Sequence, residues 1–298
     1  MLKLRAISFP ILIGLLWGVF FAPANVGVWL FTFCAVVTIG LATYECAKMV
    51  DAGLIPCSPK LAGAFSALIM ALLLASHCIF RCECGKETRN SVVCDFAMAI
   101  VILLLVYLPW LTTVFCGAGK AKKGFTTVAT VLSTVVPFGM VAFLYVEDPK
   151  YLFFVMMVTK AMDTGGYIFG MLSGKLLPGG NHKLCPSISP KKSWEGVFGG
   201  IFLSVITAWA LYKLFPSWDF SAELGKEALW KVLVYGVILA LASICGDLTE
   251  SALKRKCGVK DSGKLIPGMG GPLDVLDSFI YVGPVCLIYS VILKGFNL

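Results

Sequence analysis

The chain has 298 residues, 58% of them hydrophobic and 14% charged, with a mean hydropathy of +0.88. Soluble domains run near 45–50% apolar and about 25% charged, so this chain lacks the polar surface to clothe a water-soluble core, and its apolar excess equally excludes disorder. The net charge of +8, from 25 Lys and Arg against 17 Asp and Glu, points in such a chain to membrane orientation and anionic lipid, with no nucleic-acid partner.

A bilayer crossing takes ~20 apolar residues. Apolar runs fall at about 7–23, 26–44, 61–80, 94–116, 125–146, 151–172, 194–215, 229–246 and 278–295, which predicts an all-α, polytopic integral membrane protein with about nine transmembrane helices. Lys3 and Arg5 before the first run and Ala22-Pro23-Ala24 after it have the form of a signal peptide. The second run follows almost at once, which favours an uncleaved first helix. The N-terminus and alternate loops hold 16 Lys and Arg, among them Lys3, Lys48, Lys122, Lys191, Lys254 and Lys260, whereas the other loops and the C-terminus hold 6. The positive-inside rule then places the N-terminus in the cytoplasm and the C-terminus outside.

Twelve cysteines are scattered without a repeated ligand spacing, so neither a disulfide scaffold nor a zinc ribbon is indicated. Cys34, Cys116, Cys245 and Cys286 lie in or beside apolar runs and read as small hydrophobes. Cys82, Cys84 and Cys94 fall on or near the outer face, with His77 and Cys78 just inside it; a disulfide there is open to an oxidising compartment, and a metal site is the alternative, although His77, Cys78, Cys82 and Cys84 lack a familiar ligand spacing.

Two cytoplasmic segments differ from the rest. In the first, Lys160 and Asp163 are spaced to pair along a helix, and Gly165, Gly166 and Gly170 suit close helix packing. It continues through Ser187, Ser189, Lys191 and Lys192, a candidate phosphate or nucleotide loop, to Ser193 as a helix cap and Glu195 in the first turn. In the second, Asp247, Ser251, Lys254 and Arg255 recur on one helical face, and Asp274 and Asp277 form an i, i+3 pair predicted to share a face of the next helix. Asp247, Asp274 and Asp277 brought together repel one another, and a divalent cation is the natural remedy; oxygen-only donors favour Mg²⁺. Between them, Gly268 to Gly271 offers backbone N–H groups to a phosphate, with Lys254, Arg255, Lys260 and Lys264 nearby in sequence. Each piece alone is also what a cap, an ion pair or a turn looks like; together, within about thirty residues at one membrane face, they form the parts of a phosphoryl-transfer site.

At these residues the chain resembles the phosphatidate cytidylyltransferase (CDP-diacylglycerol synthase) family. The family signature, S-x-x-K-R, K-D, P-G-H-G-G and D-R-x-D, is met by Ser251, Lys254, Arg255, Lys260, Asp261, Pro267, Gly268, Gly270, Gly271, Asp274 and Asp277. The upstream pattern, Asp-Ser/Thr-x-Ala-Tyr and then Ser-Pro-x-Lys-Thr-x-Glu-Gly, is similar to Asp163-Thr164 with Tyr167, then Ser189-Pro190, Lys192-Ser193 and Glu195-Gly196. The chain departs from it at Met269 (usually His), Val275 (usually Arg), Gly166 (usually Ala) and Met171 (commonly basic). The resemblance is close over 151–298, a catalytic transmembrane domain, and reaches 1–150 only as membrane helices. It implies that CTP and phosphatidic acid give CDP-diacylglycerol and pyrophosphate, with Mg²⁺ and a homodimer, at the cytoplasmic face of the cell (inner) membrane. It implies Asp247, Asp274 and Asp277 as metal or catalytic carboxylates and Lys254 and Arg255 as the cations that neutralise phosphates. An anionic lipid phosphate needs no strong general base, in keeping with a chain of two histidines. The rivals are a CTP-dependent polyprenol or phytol kinase and, in another class, a membrane transporter using Lys160 and Asp163.

Overall fold

The structure, a computed structural model, describes residues 14–83, 118–178, 180–215, 229–266 and 270–295. It is mostly helical. After helical residues 14–21 come α1 (Ala24–Gly53), α2 (Pro59–Glu83), α3 (Ala118–Glu147), α4 (Pro149–Leu176), α5 (Trp194–Leu214), α6 (Leu229–Lys256), a short α7 (Pro272–Leu276) and α8 (Phe279–Gly295). Among the described residues, 6 stretches are long and apolar enough to cross a membrane: Val26–Gly53, Lys122–Val146, Pro149–Leu176, Trp194–Leu214, Leu229–Lys256 and Pro272–Tyr289. Pro59–Ala75 is a shorter apolar helix, and the apolar run at 94–116 and residues 7–13 of the first run lie outside the described residues. Phe33, Leu68, Phe198, Phe202 and Trp230 are exposed on these helices, an outward apolar surface suited to lipid. The protein is a multi-pass membrane protein.

Two compact units divide the chain: residues 1–142 with 256–275, and residues 143–255 with 276–298. The halves read from the sequence meet at 150/151; the segment 256–275 of the signature falls in the first of the compact units.

Within the first unit, α1 and α2 touch through glycine. A Cβ on Gly63 would sit 2.9 Å from the Gly40 carbonyl oxygen and 3.0 Å from Tyr44 Cβ. The Thr43 and Thr134 hydroxyls, 2.8 Å apart, join α1 to α3. Asp51 accepts the Cys57 N–H at 2.7 Å, and the Thr127 hydroxyl accepts that of Ser58 at 3.0 Å, which ties the α1–α2 connection down. Cys257 packs against Gly53, and burial pushes its thiol pKa up, so it is an inert packing group.

In the second unit, α4 opens on Asp148, whose side chain accepts the Lys150 N–H, with Pro149 at the first helical position, where its missing N–H costs nothing. α4 and α5 then run together on glycine. A Cβ on Gly165 would lie 2.8 Å from the Gly199 carbonyl oxygen, one on Gly196 would lie 2.8 Å from that of Gly166, and one on Gly200 would lie 2.5 Å from Met162 Sδ. The Ser204 hydroxyl adds a bond to the Val158 carbonyl at 3.0 Å. This is the close packing expected of the glycine run. A second buried cluster joins α4, α6 and α8: the Tyr151 and Tyr235 hydroxyls lie 2.6 Å apart, and Tyr235 donates to Cys286 Sγ at 2.9 Å. Cys286 is thus buried as expected, whereas Cys245 is exposed.

One element departs from an all-helical reading. Residues 187–196, expected as a loop with Ser193 as a helix cap, contribute β2 (Ser189–Ser193) to an antiparallel hairpin with β1 (Lys183–Cys185), Lys183 opposite Ser193 and Cys185 opposite Ser189. Ile188 N–H donates to the Cys185 carbonyl at 3.2 Å across the turn, and Pro190 is tolerated because a two-stranded sheet is all edge.

Glycine contact predicts an asymmetric response to substitution. Gly200→Leu would collide with Met162 and is expected to cost about 1–3 kcal/mol or more, seen as loss of monodisperse protein in detergent size exclusion. Gly166→Ala, whose Cβ meets nothing nearer than the Gly196 oxygen at 3.7 Å, is expected to elute as wild type.

Candidate active site

Several charged side chains of the second unit pair on and between α4, the hairpin, the start of α5 and α6. On α4, Lys160 Nζ lies 3.0 Å from Asp163 Oδ2, the i, i+3 pair expected from the sequence, and 5.6 Å from the Phe279 ring centroid. The hairpin is set by the start of α5. Ser193 caps that helix by accepting the Gly196 N–H at 3.2 Å, and Glu195 accepts from the His182 N–H at 3.1 and 3.2 Å and lies 2.6 Å from His182 Nδ1. Both roles, cap and first-turn acid, are those the sequence predicts. With the hairpin so held, Lys192 and Lys191 part company. Lys191 is exposed, whereas Lys192 Nζ reaches Asp247 Oδ2 on α6 at 2.7 Å.

α6 continues ten residues beyond its apolar run, to Lys256, and this extension carries the polar face. The Ser251 hydroxyl donates to Asp247 Oδ1 at 3.3 Å, Lys254 pairs with the buried Glu250 at 2.6 Å, and Arg255 Nε donates to the Ile188 carbonyl of the hairpin turn at 3.2 Å. Lys254 is therefore engaged in the i, i+4 pair that the sequence leaves open as its alternative.

Asp277 is not on a helix. α7 ends at Leu276, and Asp277 and Ser278 form a turn before α8 begins, so Asp274 and Asp277 do not share one helical face. The reason is local. Asp277 Oδ1 accepts the Ser278 N–H at 2.6 Å and its hydroxyl at 3.1 Å, offering the backbone a competing partner at the point where the helix stops. Gly246 allows α6 to reach this turn, since a Cβ there would lie 2.5 Å from the Asp277 carbonyl oxygen. The Ser278 hydroxyl also lies 3.4 Å from Asp163 Oδ2, and the Ser243 hydroxyl lies 3.5 Å from Asp163 Oδ1. Asp247 and Asp163 both act electrostatically on Asp277, with Lys160 as the attracting cation.

The donor chemistry fits magnesium. The one proton of the Ser278 hydroxyl cannot serve both Asp163 and Asp277 at once, and every side chain at the turn offers oxygen. Among the described residues no three His, Cys, Asp or Glu side chains close around one point. Magnesium does not require that, since it takes one or two carboxylates and completes its shell with water and substrate phosphate.

The signature loop belongs to the first unit. Asp274 accepts the Ser262 N–H at 3.1 Å on each oxygen and the Gly271 N–H at 2.8 Å, and Ile266 and Gly270 exchange backbone bonds at 2.9 and 3.2 Å. Gly270 has φ +96°, a conformation open to glycine. The N–H groups of Gly270 and Gly271, expected to face a phosphate, are thus turned to partners inside the loop. Lys260 and Asp261 are exposed, and Gly268 and Met269 lie outside the described residues.

A sequence model of the cytidylyltransferase family matches residues 3–293, nearly the whole chain. The chain belongs to this family. It is 34% identical over 196 residues to a Staphylococcus epidermidis protein named phosphatidate cytidylyltransferase, covering 64% of this chain and 70% of the relative. A Staphylococcus haemolyticus protein of the same name is 34% identical over 228 residues, 75% of this chain and 76% of the relative. A third, from Staphylococcus aureus, is 41% identical over 139 residues, 47% of this chain and 48% of the relative.

Of the residues expected from the sequence, the structure brings Asp247, Ser251, Lys254, Arg255, Lys192 and Asp277 to one end of the second unit. Ser187 and Ser189 lie in the hairpin there, Ser187 exposed in its turn and Ser189 opening β2. Asp274, Lys260, Asp261, Gly270 and Gly271 belong to the first unit. His77, Cys78, Cys82, Cys84 and Cys94 as a group lie outside the residues whose side chains are described. Asp163, Ser243 and Ser278 were not among the expected site residues. Asp163 carried a signal, because an ionisable group on a membrane helix marks a functional site by default; Ser243 and Ser278 carried none. The pairing of Lys192 with Asp247 predicts that Lys192→Met lowers the detergent melting temperature by roughly 2–6 °C, about 1–2 kcal/mol, whereas Lys191→Met leaves it within about 1 °C.

Proposed function

We propose that this chain transfers the cytidylyl group of CTP to phosphatidic acid, releasing pyrophosphate and leaving CDP-diacylglycerol in the membrane. The observation that carries this reading is the gathering of Asp163, Asp247 and Asp277 with Lys160 and Lys192 at one end of a membrane bundle, in a chain of the cytidylyltransferase family. The relatives' names supply the lipid substrate.

The nucleophile is a lipid phosphate oxygen, already anionic at neutral pH. It attacks the α-phosphorus of CTP, the bond from that phosphorus to the bridging oxygen breaks, and the electron pair leaves with pyrophosphate. No residue has to remove a proton. What the reaction lacks in water is a way to bring two polyanions together, and this is what Lys160, Lys192, Lys254 and Arg255 supply, by screening and by aligning the groups for in-line attack. Asp277, with Asp163 or Asp247, would hold magnesium, which would supply charge screening and polarisation at the phosphates. Lys192 has a double part in this reading: it fixes Asp247 while no substrate is bound and offers its ammonium to a phosphate when one arrives.

In the full reading the chain has nine spans, with the N-terminus in the cytoplasm and the C-terminus outside the cell membrane, and works as a homodimer. The excess of Lys and Arg in alternate loops supports that direction. CTP then comes from the cytosol and phosphatidic acid from the inner leaflet, and the site lies at the surface where the two meet.

The test uses purified protein in detergent with phosphatidic acid, Mg²⁺ and CTP labelled at the α-phosphorus. Wild type is expected to move label into the lipid phase and release pyrophosphate, and Asp277→Asn to lower the rate by about 10³-fold or more. Release of CDP with no label in lipid would reassign the chain to γ-phosphoryl transfer, and label that stays wholly in CTP would overturn the enzyme reading for this substrate.

A further inference from the structure

A two-stranded sheet with strands of 3 and 5 residues does not hold itself in place, so the hairpin of the second unit depends on what fastens it. Leu184 packs against Met162, Val197 and Ala240, the Asn181 amide donates to the Gly170 carbonyl at 2.8 Å, and Arg255 grips the turn through the Ile188 carbonyl. The base is closed by Glu195. Its two oxygens accept the His182 N–H at 3.1 and 3.2 Å, and Oε1 lies 2.6 Å from His182 Nδ1. The Trp194 N–H donates to the His182 carbonyl at 2.9 Å beside it. Two residues 13 apart in sequence are thereby stapled, and the chain between them is a closed ring.

Helix chemistry alone does not account for this carboxylate. An acid in the first turn is favoured by the helix dipole wherever its side chain points. In a reciprocal capping box it would stand at the third helical position and bond back to the cap residue. Gly196 holds that position here, and Glu195, one place earlier, reaches instead to the residue that leads into β1. Lys192 lies inside the ring, separated from the staple by the buried cap Ser193 and by Trp194. Its Nζ meets Asp247 Oδ2 on another helix at 2.7 Å, whereas the adjacent Lys191 is exposed. Ordering so long a side chain against one carboxylate costs entropy, and the contact is kept only if β2 is held still beneath it.

We propose that Glu195 is a positioning residue for Lys192: by stapling the two ends of segment 182–195 it delivers the Lys192 ammonium to Asp247 and, during the reaction, to a substrate phosphate. This deepens the cytidylyl-transfer reading and rests on it for the identity of the ligand. The staple acts through reach and acceptor geometry, not through charge. In Glu195→Gln the amide oxygen still accepts the His182 N–H, and the amide nitrogen can donate to Nδ1 of a neutral imidazole. Glu195→Asp keeps the charge at the helix start but falls one methylene short of His182. Glu195→Met has similar length and accepts nothing.

The experiment treats the folded protein in detergent with an amine-acylating reagent and reads modification of Lys192 against Lys191 by mass spectrometry, in wild type, Glu195→Gln, Glu195→Asp and Glu195→Met. The same samples give kcat and KM for CTP, and Lys192→Met, alone and combined with Glu195→Met, completes a double-mutant cycle. Modification of Lys192 is expected to rise about tenfold in Glu195→Met and about threefold in Glu195→Asp, and to stay within about twofold in Glu195→Gln, with Lys191 unchanged throughout. The kcat/KM for CTP should fall about tenfold in Glu195→Met, and adding that change to Lys192→Met should cost nothing further. Losses that simply add would mark Glu195 as merely structural and overturn the proposal. So would a Lys192 that stays protected in Glu195→Met, or a Glu195→Gln as impaired as Glu195→Met, which would assign the effect to charge. Should Glu195→Met not fold, Glu195→Asp decides: protection of Lys192 equal to wild type refutes the staple. A wild type that makes no labelled lipid refutes the reaction, and the acylation pattern still judges the staple by the same criteria.

Discussion

A carboxylate taken out of water must be met by hydrogen-bond donors or cations, and the polar parts of this protein are arranged by that requirement. Asp247 is met by Lys192 and Ser251, Asp163 by Lys160, Asp277 by Ser278, Asp274 by the backbone of its loop and Glu45 by the two ends of the same loop. The partners differ in kind, and the difference separates roles. Backbone N–H groups cannot leave, so Asp274 and Glu45 hold the chain in place. Lysines and hydroxyls on flexible side chains can exchange a carboxylate for a phosphate or a cation; Asp163 and Asp247 are met by such groups, whereas Asp277 takes both the backbone N–H and the hydroxyl of Ser278.

Glycine decides which carboxylates of the second unit can meet. Without Cβ atoms at Gly165, Gly196 and Gly200, α4 and α5 come close enough to seat the hairpin, which hangs from the start of α5, beside α6. Gly246 does the same for α6 and the Asp277–Ser278 turn. In a bilayer such contacts replace the hydrophobic drive between helices, because lipid is as apolar as any helix face. The same residues thus stabilise the bundle and set the spacing of its charges.

Much of this was legible in the sequence, for reasons that can be named. The membrane class follows from composition, and α4, α5 and α6 follow from apolar runs long enough to outvote local propensity. The cap at Ser193 and the Lys160–Asp163 pair depend on residues within four positions, where spacing alone is informative. The helix shared by Asp274 and Asp277 failed because a carboxylate next to a serine can bond its own backbone and end a helix that periodicity would continue. The hairpin at 183–193 was hidden by its length, since strands of 3 and 5 residues show no period to read. Glu45 was hidden differently: its partners Ser262 and Leu273 lie more than two hundred positions away, and nothing local marks a residue whose purpose is distant.

The short span from Asp274 to Asp277 concentrates the consequence. The chain passes from one compact unit to the other between Val275 and Leu276, so two carboxylates of one signature motif belong to different units. Asp274 spends its oxygens on the Ser262 and Gly271 backbone, whereas Asp277 leans on the adjacent Ser278, whose hydroxyl is also within reach of Asp163. In the folded chain the first of these carboxylates fastens its loop, and the second accepts from Ser278 at the turn where the helix stops. Replacing the two by the same residue should therefore not be equivalent: loss of Asp274 removes the acceptor that pins the loop, and loss of Asp277, in the proposed reaction, removes a charge from the place where the phosphates are received.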